Sequence, residues 1–356
     1  MVKVLMKGNE VIGEAAIQAG CYYFFGYPIT PQSELVAYMA KRLPEEGGVF
    51  LQAESEVSAI NMVYGAASAG VRVMTSSSSP GFSLKQEGIS YLAGAELPAV
   101  IVNVGRGGPG LGNIQPAQSD YFQVTRGGGH GDYYTPVLAP ASLQEIAELT
   151  QQAFRIADEY RTPVIILGDG MLGQMMEPVD FESVEQEVMI HNKDWAVTGT
   201  AGDGPPKTIT SLDLNDVLLE ERNHRLQNKY KAIRERETRV TYQYAEDADW
   251  FVVAYGTVGR IVQSAVEKAR EKGVNVGVIR PISLWPFPYE TISGFSETSS
   301  HMLVVEMSAG QMIEDVRLAV EGKAPVSFYG RNGGVIPSVN EIFEEIIKVD
   351  AEVGVR

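Results

Sequence analysis

The chain has 356 residues, 44% of them hydrophobic, a formal charge of −16 and a pI near 4.8. That length and apolar content suffice for two domains with buried cores and argue against a disordered chain, while the acidic balance argues against nucleic acid and anionic membrane surfaces as partners. The single cysteine, Cys21, excludes an internal disulfide and an iron–sulfur cluster held by this chain alone, since such clusters need about four thiolates.

Up to about residue 170 the chain alternates helix-like and strand-like segments. Apolar positions at spacings of three and four residues, often ended by glycine, mark the helices, and short apolar runs mark the strands. The predicted helices are 10–19, 33–42 with Ser33 as its cap, 56–69, 83–93 and 142–160, and the predicted strands are 22–26, 49–52, 71–75, 99–104 and 163–167. Such alternation predicts a parallel sheet covered by helices.

The second half of the chain is less regular. A cluster of breaker residues at 203–206 and a densely charged stretch, 212–237, precede a second run of alternating segments. We predict that 212–237 is a helix and an exposed arm rather than a core element, because charged residues dominate it. The later helices are predicted at 258–272, 313–320 and 339–347, and the strands at 250–256, 276–279, 302–306 and around Phe328. This pattern predicts two α/β domains joined by a linker with an arm.

Ligands of open parallel sheets bind beyond the carboxyl ends of the strands, and the unusual residues of this chain follow predicted strands. After the first strand, two prolines flank Ile29 and Thr30, which fixes the backbone and aims the Thr30 hydroxyl; a rigid turn ahead of the next helix is the alternative. After the second strand, Glu54 and Glu56 begin a helix. The helix dipole favours acids there in any protein, and the functional alternative is one carboxylate in a cleft, acting as an acid or base.

The loops after the third and fourth strands carry hydroxyls, glycines and one cation. Residues 76–79 are four serines followed by Pro80 and Gly81, a composition that can hold an anion ahead of a helix, although serine-rich loops often bind nothing. Arg106 is the only cation of the glycine-rich stretch 105–112. An arginine in such surroundings can clamp a carboxylate with two hydrogen bonds, whereas a solvated surface arginine needs no glycines around it.

Two motif matches in these loops are weak. Three glycines of the stretch 105–112 fit G-x-G-x-x-G, but Pro109 lies inside the match and no helix is predicted directly after it, so a dinucleotide site is not expected; a stand-alone NAD-linked dehydrogenase stays open as an alternative. Asp169 and Asn192 resemble a metal–diphosphate motif, but their spacing is short and the residues after Asp169 do not look helical. We therefore expect no metal site there.

The remaining features argue against a zinc site, a membrane-spanning segment and a signal peptide. The four histidines are scattered and do not form the spacing of a zinc site. No apolar stretch approaches the ~20 residues that span a bilayer, and Lys3 and Lys7 interrupt the N-terminus, which lacks the apolar core of a signal peptide. We expect a soluble, cytoplasmic protein.

Six motifs, taken together, resemble those of one family. They are Gly-Tyr-Pro-Ile-Thr-Pro at 26–31, Gln-Ala-Glu-Ser-Glu at 52–56, Ser-Pro-Gly-Phe-Ser-Leu at 79–84 with Glu87, Glu96-Leu97-Pro98, Arg106-Gly107-Gly108-Pro109, and Gln118-Ser119-Asp120. The chain resembles the α subunit of the 2-oxoacid:ferredoxin oxidoreductases over residues 5–345 or so, with fewer motifs in its second half.

The resemblance implies an α/β fold in two domains. Residues 1–175 would form a pyrimidine-binding domain of the thiamine-diphosphate-binding fold, a parallel sheet flanked by helices. Residues 176–245 would be a linker with the charged helical arm, and 246–356 a smaller transketolase C-terminal-like α/β domain. This chain would bind the pyrimidine end of thiamine diphosphate, and the domain for the diphosphate and Mg would lie on a partner.

The resemblance also implies a set of partners and a reaction. The expected partners are a β subunit that carries the diphosphate-binding domain and a cluster, a γ subunit, a ferredoxin-like δ subunit as a further candidate, and ferredoxin. Iron–sulfur clusters would lie on partner subunits only, in agreement with the single cysteine. The implied reaction is the oxidative decarboxylation of a 2-oxoacid to acyl-CoA and CO2, with coenzyme A as co-substrate and ferredoxin as electron acceptor.

Site roles follow from the same resemblance, position by position. Glu56 matches the glutamate that hydrogen-bonds N1′ of the aminopyrimidine and so favours the imino tautomer, whose nitrogen removes the C2 proton. Thr30 and Arg106 match residues that hold the substrate carboxylate. The other residues expected to line the cofactor or the pocket are Tyr27, Pro28, Ile29, Ser79, Gly81, Asp120 and His130.

Departures from the family pattern bear on the substrate. Residues 108–112 read Gly-Pro-Gly-Leu-Gly, where the family often has hydroxyl side chains after the arginine, so the pocket is less polar there. This loss, with similarity to the branched-chain subgroup, favours 3-methyl-2-oxobutanoate. The alternative, 2-oxoglutarate, needs a second cationic contact, and Arg126 is the nearest candidate. From another class, a non-catalytic docking subunit stays open, although Glu56, Thr30 and Arg106 are all present.

Overall fold

The computed structural model describes residues 3–185, 193–200 and 205–353. Asn192 and the first residues of the breaker cluster at 203–206 lie outside these ranges. No helix within them is long and apolar enough to cross a membrane.

The first part of the chain forms seven helices and eight strands up to residue 179. In chain order they are β1 (Val4–Lys7), α1 (Gly8–Gln18), β2 (Tyr23–Gly26), α2 (Ser33–Glu45), β3 (Val49–Gln52), α3 (Glu56–Ser68), β4 (Val73–Ser77), α4 (Ser79–Gly94), β5 (Ala99–Gly105), α5 (Tyr121–Thr125), β6 (Val137–Leu138), α6 (Leu143–Tyr160), β7 (Pro163–Asp169), α7 (Gly170–Gln174) and β8 (Met176–Val179).

The rest of the described chain adds five helices and six strands. They are α8 (Asp216–Glu237), β9 (Val240–Gln243), β10 (Trp250–Val253), α9 (Gly256–Arg270), β11 (Val276–Pro281), β12 (Ser283–Trp285), α10 (Tyr289–Ser296), β13 (Met302–Glu306), α11 (Met312–Val320), β14 (Val326–Gly330) and α12 (Val339–Val353).

The larger sheet has seven strands in the order β12-β6-β7-β5-β4-β2-β3. All neighbours from β6 to β3 are parallel, as the alternation of helices and strands predicts. Strand β5 is buried along its whole length, which is typical of a parallel sheet covered on both faces. Because β3 and β4 lie on opposite sides of β2, the chain changes direction across the sheet there, and such a point opens a crevice for ligands.

The second sheet has five strands in the order β14-β13-β10-β11-β9, parallel except for β9 at one edge. The two parts of the chain are interlocked. Strand β12 comes from the later part but pairs antiparallel with β6 at the edge of the larger sheet. The predicted division at residues 175 and 245 stays a prediction, and this strand exchange crosses it.

Helix α8 corrects the expectation of an exposed arm. Its first half is exposed, but Leu226, Tyr230 and Ile233 are buried. These residues recur at spacings of four and three, so they form an apolar stripe within a helix whose other faces are charged. The Tyr230 ring packs edge-on against the ring of Trp285, and the guanidinium of Arg155 on α6 binds buried Glu237 with two hydrogen bonds of 3.1 and 2.8 Å. The second half of α8 is therefore part of the core.

Candidate functional site

Glu56 is the carboxylate that points inwards. It is the first residue of α3, directly after the cap residue Ser55, whose hydroxyl accepts the Ser58 N–H at 3.1 Å. The Glu56 side chain is only 6% exposed and has no hydrogen-bond partner within the part of the chain that the structure describes. Glu54, by contrast, is exposed and accepts a hydrogen bond from the Ser58 hydroxyl. The two acids that the sequence left open therefore differ: Glu54 is exposed and bonds a hydroxyl of the first turn, and Glu56 is buried without a donor among the described residues.

Gly81 lies against Glu56 because of its lack of a side chain. It is the third residue of α4, and it lies against Ser77 at the end of β4. A Cβ at this position would lie 2.5 Å from Glu56 Oε1 and even closer to Ser77 Oγ. Real Cβ atoms do not approach other atoms so closely, so Gly81 allows α4 to begin directly beside the buried carboxylate.

We expect Gly81→Ala to lower kcat by at least about tenfold, since about 1.4 kcal/mol of lost transition-state stabilisation is enough for that. The added methyl group has to displace the Glu56 carboxylate or the Ser77 hydroxyl, both of which are buried. Steady-state kinetics of the assembled complex would measure this change in kcat. Gly65→Ala, on α3 where a Cβ meets open space, is the matched control. Unchanged kcat in Gly81→Ala would mean that the position of Glu56 is not critical.

Arg106 is a buried cation without an ion-pair partner among the described residues. It is 6% exposed, its Nη1 donates to the Thr30 carbonyl at 2.9 Å, and its Nη2 donates to the Leu111 carbonyl at 3.2 Å. Its Nε has no partner within the described chain. Burying an unpaired charge costs free energy, so the guanidinium is poised to bind an anion, and a carboxylate matches its planar fork.

The turn after β2 places Thr30 next to this arginine through its backbone. The carbonyl of Thr30 holds the guanidinium, while its side chain is exposed. Tyr27 and Ile29 are half-buried and Pro28 is exposed. The Tyr27 carbonyl accepts from the side-chain amide of Gln32 at 3.3 Å, and this bond braces the turn. The structure thus brings Thr30 and Arg106 together.

A polar triad joins the loops after β4 and β5. The Ser79 hydroxyl donates to Asp120 Oδ2 at 2.7 Å, and Asn103 Nδ2 donates to the same oxygen at 2.9 Å. Ser79 has a φ of +26°, and its N–H donates to Asn103 Oδ1 at 3.0 Å. Burial raises the pKa of Asp120, although both hydrogen bonds and the charge of Arg106 act against it. Asn103 was not among the site residues predicted from the sequence. The feature that could have indicated it is a polar residue within the otherwise apolar strand 99–104.

A cleft of about 720 Å³ separates these loops from the second part of the chain. Its walls are Ser79, Pro80, Ser83, Arg106, Gly107, Gly108, Pro109, Gly110, Ser119 and Asp120 on one side, and Met307, Ser308, Ala309, Gln311, Asn332 and Gly333 on the other. Thr30 lines a second cleft of about 580 Å³ with Pro31, Gly170 and Ile336. Arg106 lies between the two, because it lines the first and donates to Thr30 at the second.

Gln118 fixes the relative position of the two walls. Its side-chain amide donates to the Tyr255 carbonyl at 2.9 Å and accepts from the Met307 N–H at 3.0 Å, while its own N–H donates to the Met307 carbonyl at 2.8 Å. Nearby, the Tyr121 hydroxyl donates to buried Asp315 at 2.6 Å. Sequence reasoning placed Gln118 in a motif without a role, and the structure makes it a bridge between the two parts of the chain.

Two residues considered from sequence are not joined to this site. His130 is exposed on the loop between α5 and β6, and that loop packs on α4 through a 3.0 Å hydrogen bond from the Gly128 N–H to the Gln86 side chain. Its place in the pocket stays a prediction without a contact in its favour. Arg126 forms a 2.9 Å ion pair with Asp315 and lines a different cleft. It is therefore already bound to a carboxylate of its own chain.

The weak motif matches also have structural explanations. Asp169 caps the five-residue helix α7, which the sequence did not predict, and its Oδ1 accepts the N–H groups of Met171 and Leu172 at 2.9 and 3.1 Å. Burial raises the pKa of Asp169. No cluster of three or more metal-binding side chains occurs within the described residues. After the glycine-rich stretch 105–112 the next helix begins only at Tyr121, so the helix that a dinucleotide fingerprint requires does not follow.

Comparison with known proteins agrees with this architecture. Residues 14–239 match the family model described as pyruvate flavodoxin/ferredoxin oxidoreductase, thiamine diphosphate-binding, and residues 248–342 match the model of pyruvate:ferredoxin oxidoreductase core domain II. Ketoisovalerate oxidoreductase subunit VorB of Methanothermobacter thermautotrophicus is 50% identical over 98% of both chains. The 2-oxoglutarate synthase subunit KorA of the same organism is 38% identical over 97% of this chain and 98% of the relative.

Solved structures resemble the whole chain. The 2-oxoglutarate:ferredoxin oxidoreductase from Magnetococcus marinus, with 2-oxoglutarate, coenzyme A and succinyl-CoA bound, superposes with a TM-score of 0.87 at 28% identity. The match covers 98% of this chain but only 65% of that longer chain. A split-gene transketolase with a TM-score of 0.60 and 15% identity shows the fold alone.

The fold and the first match define the class: an α/β chain with a thiamine diphosphate-binding domain and a second, transketolase-like α/β domain. More narrowly, the chain belongs to the 2-oxoacid:ferredoxin oxidoreductase family. The family and the fold class predicted from the sequence are thereby confirmed, and the family is one of oxidoreductases.

Proposed function

We propose that this chain is the α subunit of a 2-oxoacid:ferredoxin oxidoreductase that acts on 3-methyl-2-oxobutanoate and related branched-chain 2-oxoacids. The products would be acyl-CoA, CO2 and reduced ferredoxin. The observation that carries this proposal is the buried guanidinium of Arg106, which has no carboxylate partner in the described chain and faces a cleft with glycine-rich walls. The names of the VorB relatives support the choice of substrate.

Arg106 and Thr30 would hold the carboxylate of the oxoacid. Two of the guanidinium nitrogens are fixed by the backbone carbonyls of Thr30 and Leu111, so the group is held in place before substrate binds. The Nε is free among the described residues and Thr30 is exposed beside it. A cation that is already oriented loses little conformational entropy on binding, which favours affinity.

The pyrimidine end of thiamine diphosphate fits at Glu56. Glu56 is buried, its carboxyl group has no hydrogen-bond partner within the described residues, and Gly81 leaves room beside it. A buried carboxyl group needs a partner, and a ring nitrogen with a proton to share would supply one. When bound, thiamine diphosphate would supply the nucleophilic carbon and the electron sink that decarboxylation of a 2-oxoacid requires. Glu56 would share its proton with the ring nitrogen and so favour the imino tautomer.

The cleft favours an apolar side chain on the substrate. Of the loop that follows Arg106, Gly107, Gly108, Pro109 and Gly110 line the cleft, and none of them carries a hydroxyl. Of the residues that line the 720 Å³ cleft, all in the described part of the chain, Arg106 alone is cationic. A second carboxylate, as in 2-oxoglutarate, would find no cation there, because Arg126 is paired with Asp315. The KorA relatives and the Magnetococcus structure keep 2-oxoglutarate as the second candidate.

The complete enzyme would need partner subunits. The relatives are named as subunits, and the chain has one cysteine, Cys21, which is buried and whose pKa burial raises to about 12. We propose that a β subunit supplies the diphosphate and Mg site and a cluster, that γ and δ subunits complete the complex, and that it acts in the cytoplasm with ferredoxin. The division of this chain at residues 175 and 245 belongs to the same proposal.

A substrate panel on the complex tests the proposal. The tagged chain would be purified anaerobically from its own host with its partners, and iron and thiamine would be determined together with native mass. We expect a hetero-oligomer that reduces ferredoxin with 3-methyl-2-oxobutanoate and coenzyme A at a higher kcat/KM than with 2-oxoglutarate or pyruvate. Preference for 2-oxoglutarate would replace the substrate assignment. A homo-oligomer that holds no thiamine and turns over alone would refute the subunit role.

A further inference from the structure

Lys85 is a fully buried lysine beside Glu56 to which the site described so far gives no role. It lies on the face of α4 that packs on α3. Gly81, four residues earlier, abuts Glu56, and Gly88, three residues later, abuts Ile60, with a Cβ at that glycine only 2.5 Å from the isoleucine side chain. Residues at spacings of four and three share one face of a helix. Lys85 is therefore enclosed between two points of close contact with α3.

The amino group of Lys85 reaches down to strand β4. Its Nζ donates to Thr75 Oγ1 at 2.6 Å, and the side chain is 0% exposed. Alternate residues of a strand share a face, so Thr75 and Ser77 lie on the same side of β4, the side covered by α3 and α4. The Ser77 hydroxyl is buried without a partner among the described residues and lies beside the same Gly81 as the Glu56 carboxylate. A continuous polar strip thus runs under the two helices.

Glu56 is the charged group that acts on Lys85 in this enclosure. Burial lowers the pKa of Lys85 to about 7, and the Glu56 carboxylate acts in the opposite direction. Strand β4 offers the neutral hydroxyl of Thr75, and the acid of α4 itself, Glu87, is exposed and accepts from Tyr91. A lysine without a carboxylate at hydrogen-bond distance is costly to bury. The folded chain would be more stable with an apolar side chain at this position, so stability does not explain the presence of the lysine.

We propose that Lys85 is a positioning residue whose ammonium group stabilises the negative charge that Glu56 acquires when its proton passes to the bound cofactor. The inference rests on the proposed role of Glu56. The proton leaves the carboxyl oxygen for a ring nitrogen, the carboxylate remains, and Lys85 keeps its three protons. Because the carboxylate is buried, a fixed positive charge nearby is worth more than in water.

A stability measurement tests the charge itself, without activity. Below about pH 7 Lys85 is protonated in the folded and in the unfolded chain. Above that pH the folded chain releases the Lys85 proton, whereas the unfolded chain keeps it up to the ordinary lysine pKa of 10.5. Wild-type stability therefore rises with pH through this window. We expect thermal unfolding of the full chain to give Lys85→Met a higher Tm than wild type near pH 6.5, with the gain shrinking towards pH 9. Exposed Lys41→Met is the control. A Tm of Lys85→Met at or below that of wild type at pH 6.5, where the ammonium group is charged, would mean that the buried charge has no cost to stability and would overturn the proposal.

A double-mutant cycle tests the link to Glu56. Glu56→Gln removes the carboxylate that stabilises the ammonium, so Lys85→Met should raise the Tm more in that background than in wild type. Additive effects would refute the coupling. Should Lys85→Met fail to fold, Thr75→Val, which removes the acceptor of the Lys85 hydrogen bond at similar volume, should lower the Tm more in the Glu56→Gln background than in wild type.

Kinetics of the assembled complex separates positioning from packing. We expect Lys85→Met to lower kcat at least about tenfold and to change the KM for the oxoacid less than about twofold, because Arg106 and Thr30 hold the carboxylate. Unchanged kcat per folded complex would make Lys85 a packing residue. If the wild-type complex turns over no 2-oxoacid, the proposed function fails, and the Tm cycle still decides whether Lys85 and Glu56 are coupled.

Discussion

Replacing Glu56 with glutamine is expected to lower kcat by about two to four orders of magnitude, the usual range for a lost acid–base group. Glutamine has nearly the same shape, so the packing against Gly81 and the first turn of α3 should persist. What disappears is the proton that the carboxyl group shares with the ring nitrogen of the cofactor. Steady-state turnover of the complex, with thiamine content measured on the same preparation, would show whether catalysis fails while the cofactor remains bound.

Glu54→Gln is the matched control for this substitution. Glu54 is two residues away in the same motif but exposed, and its carboxylate bonds only the Ser58 hydroxyl among the described residues. We expect its kcat to equal that of wild type. Equal, undiminished turnover in both variants with full thiamine occupancy would instead support the docking-subunit hypothesis, in which the pyrimidine domain is inactive.

Much of the first sheet was predictable, because apolar periodicity and strand-end loops fix it. Strand β3 has the predicted bounds, and α3 differs from its prediction by one residue. Helix α4 was placed four residues too late, since Ser79 and Pro80 read as a loop although proline is favoured in a first helical turn. Strands β6 and β12 have two and three residues and depend on pairing between distant segments, which no local pattern reveals.

The candidate site was predictable in its members and not in its connections. Four loops after parallel strands had to meet at one edge, so Glu56 and Arg106 could be named before their neighbours were known. The contacts of Asn103 and Lys85 could not be predicted, because a polar residue in an apolar segment looks the same in the sequence whether it belongs to the core or to a site. The pairing of Arg126 with Asp315 joins residues 189 positions apart, and only the tertiary structure supplies it.

Substitution of Arg106 by alanine is expected to raise the KM for the 2-oxoacid by one to two decades, from the loss of charged hydrogen bonds worth about 1.5–3 kcal/mol. The guanidinium is the cation of the cleft, and the other charged residue of the described lining, Asp120, has the wrong sign to replace it. The substitution also leaves the Thr30 and Leu111 carbonyls without this donor, so the Tm should be recorded beside the kinetics.

Arg106→Lys separates charge from geometry at this position. Lysine keeps the positive charge but has a single ammonium group, so it cannot hold both the Thr30 and Leu111 carbonyls and also present a planar fork to a carboxylate. We expect an intermediate KM, between those of wild type and Arg106→Ala. Arg225→Ala, an exposed arginine on α8, should leave KM unchanged. If Arg106→Ala also left KM unchanged, the oxoacid carboxylate would bind elsewhere. The rest of the described cleft lining has no cation, so the carboxylate would then lie outside this cleft. The argument for a branched-chain substrate, which depends on that lining, would fail as well.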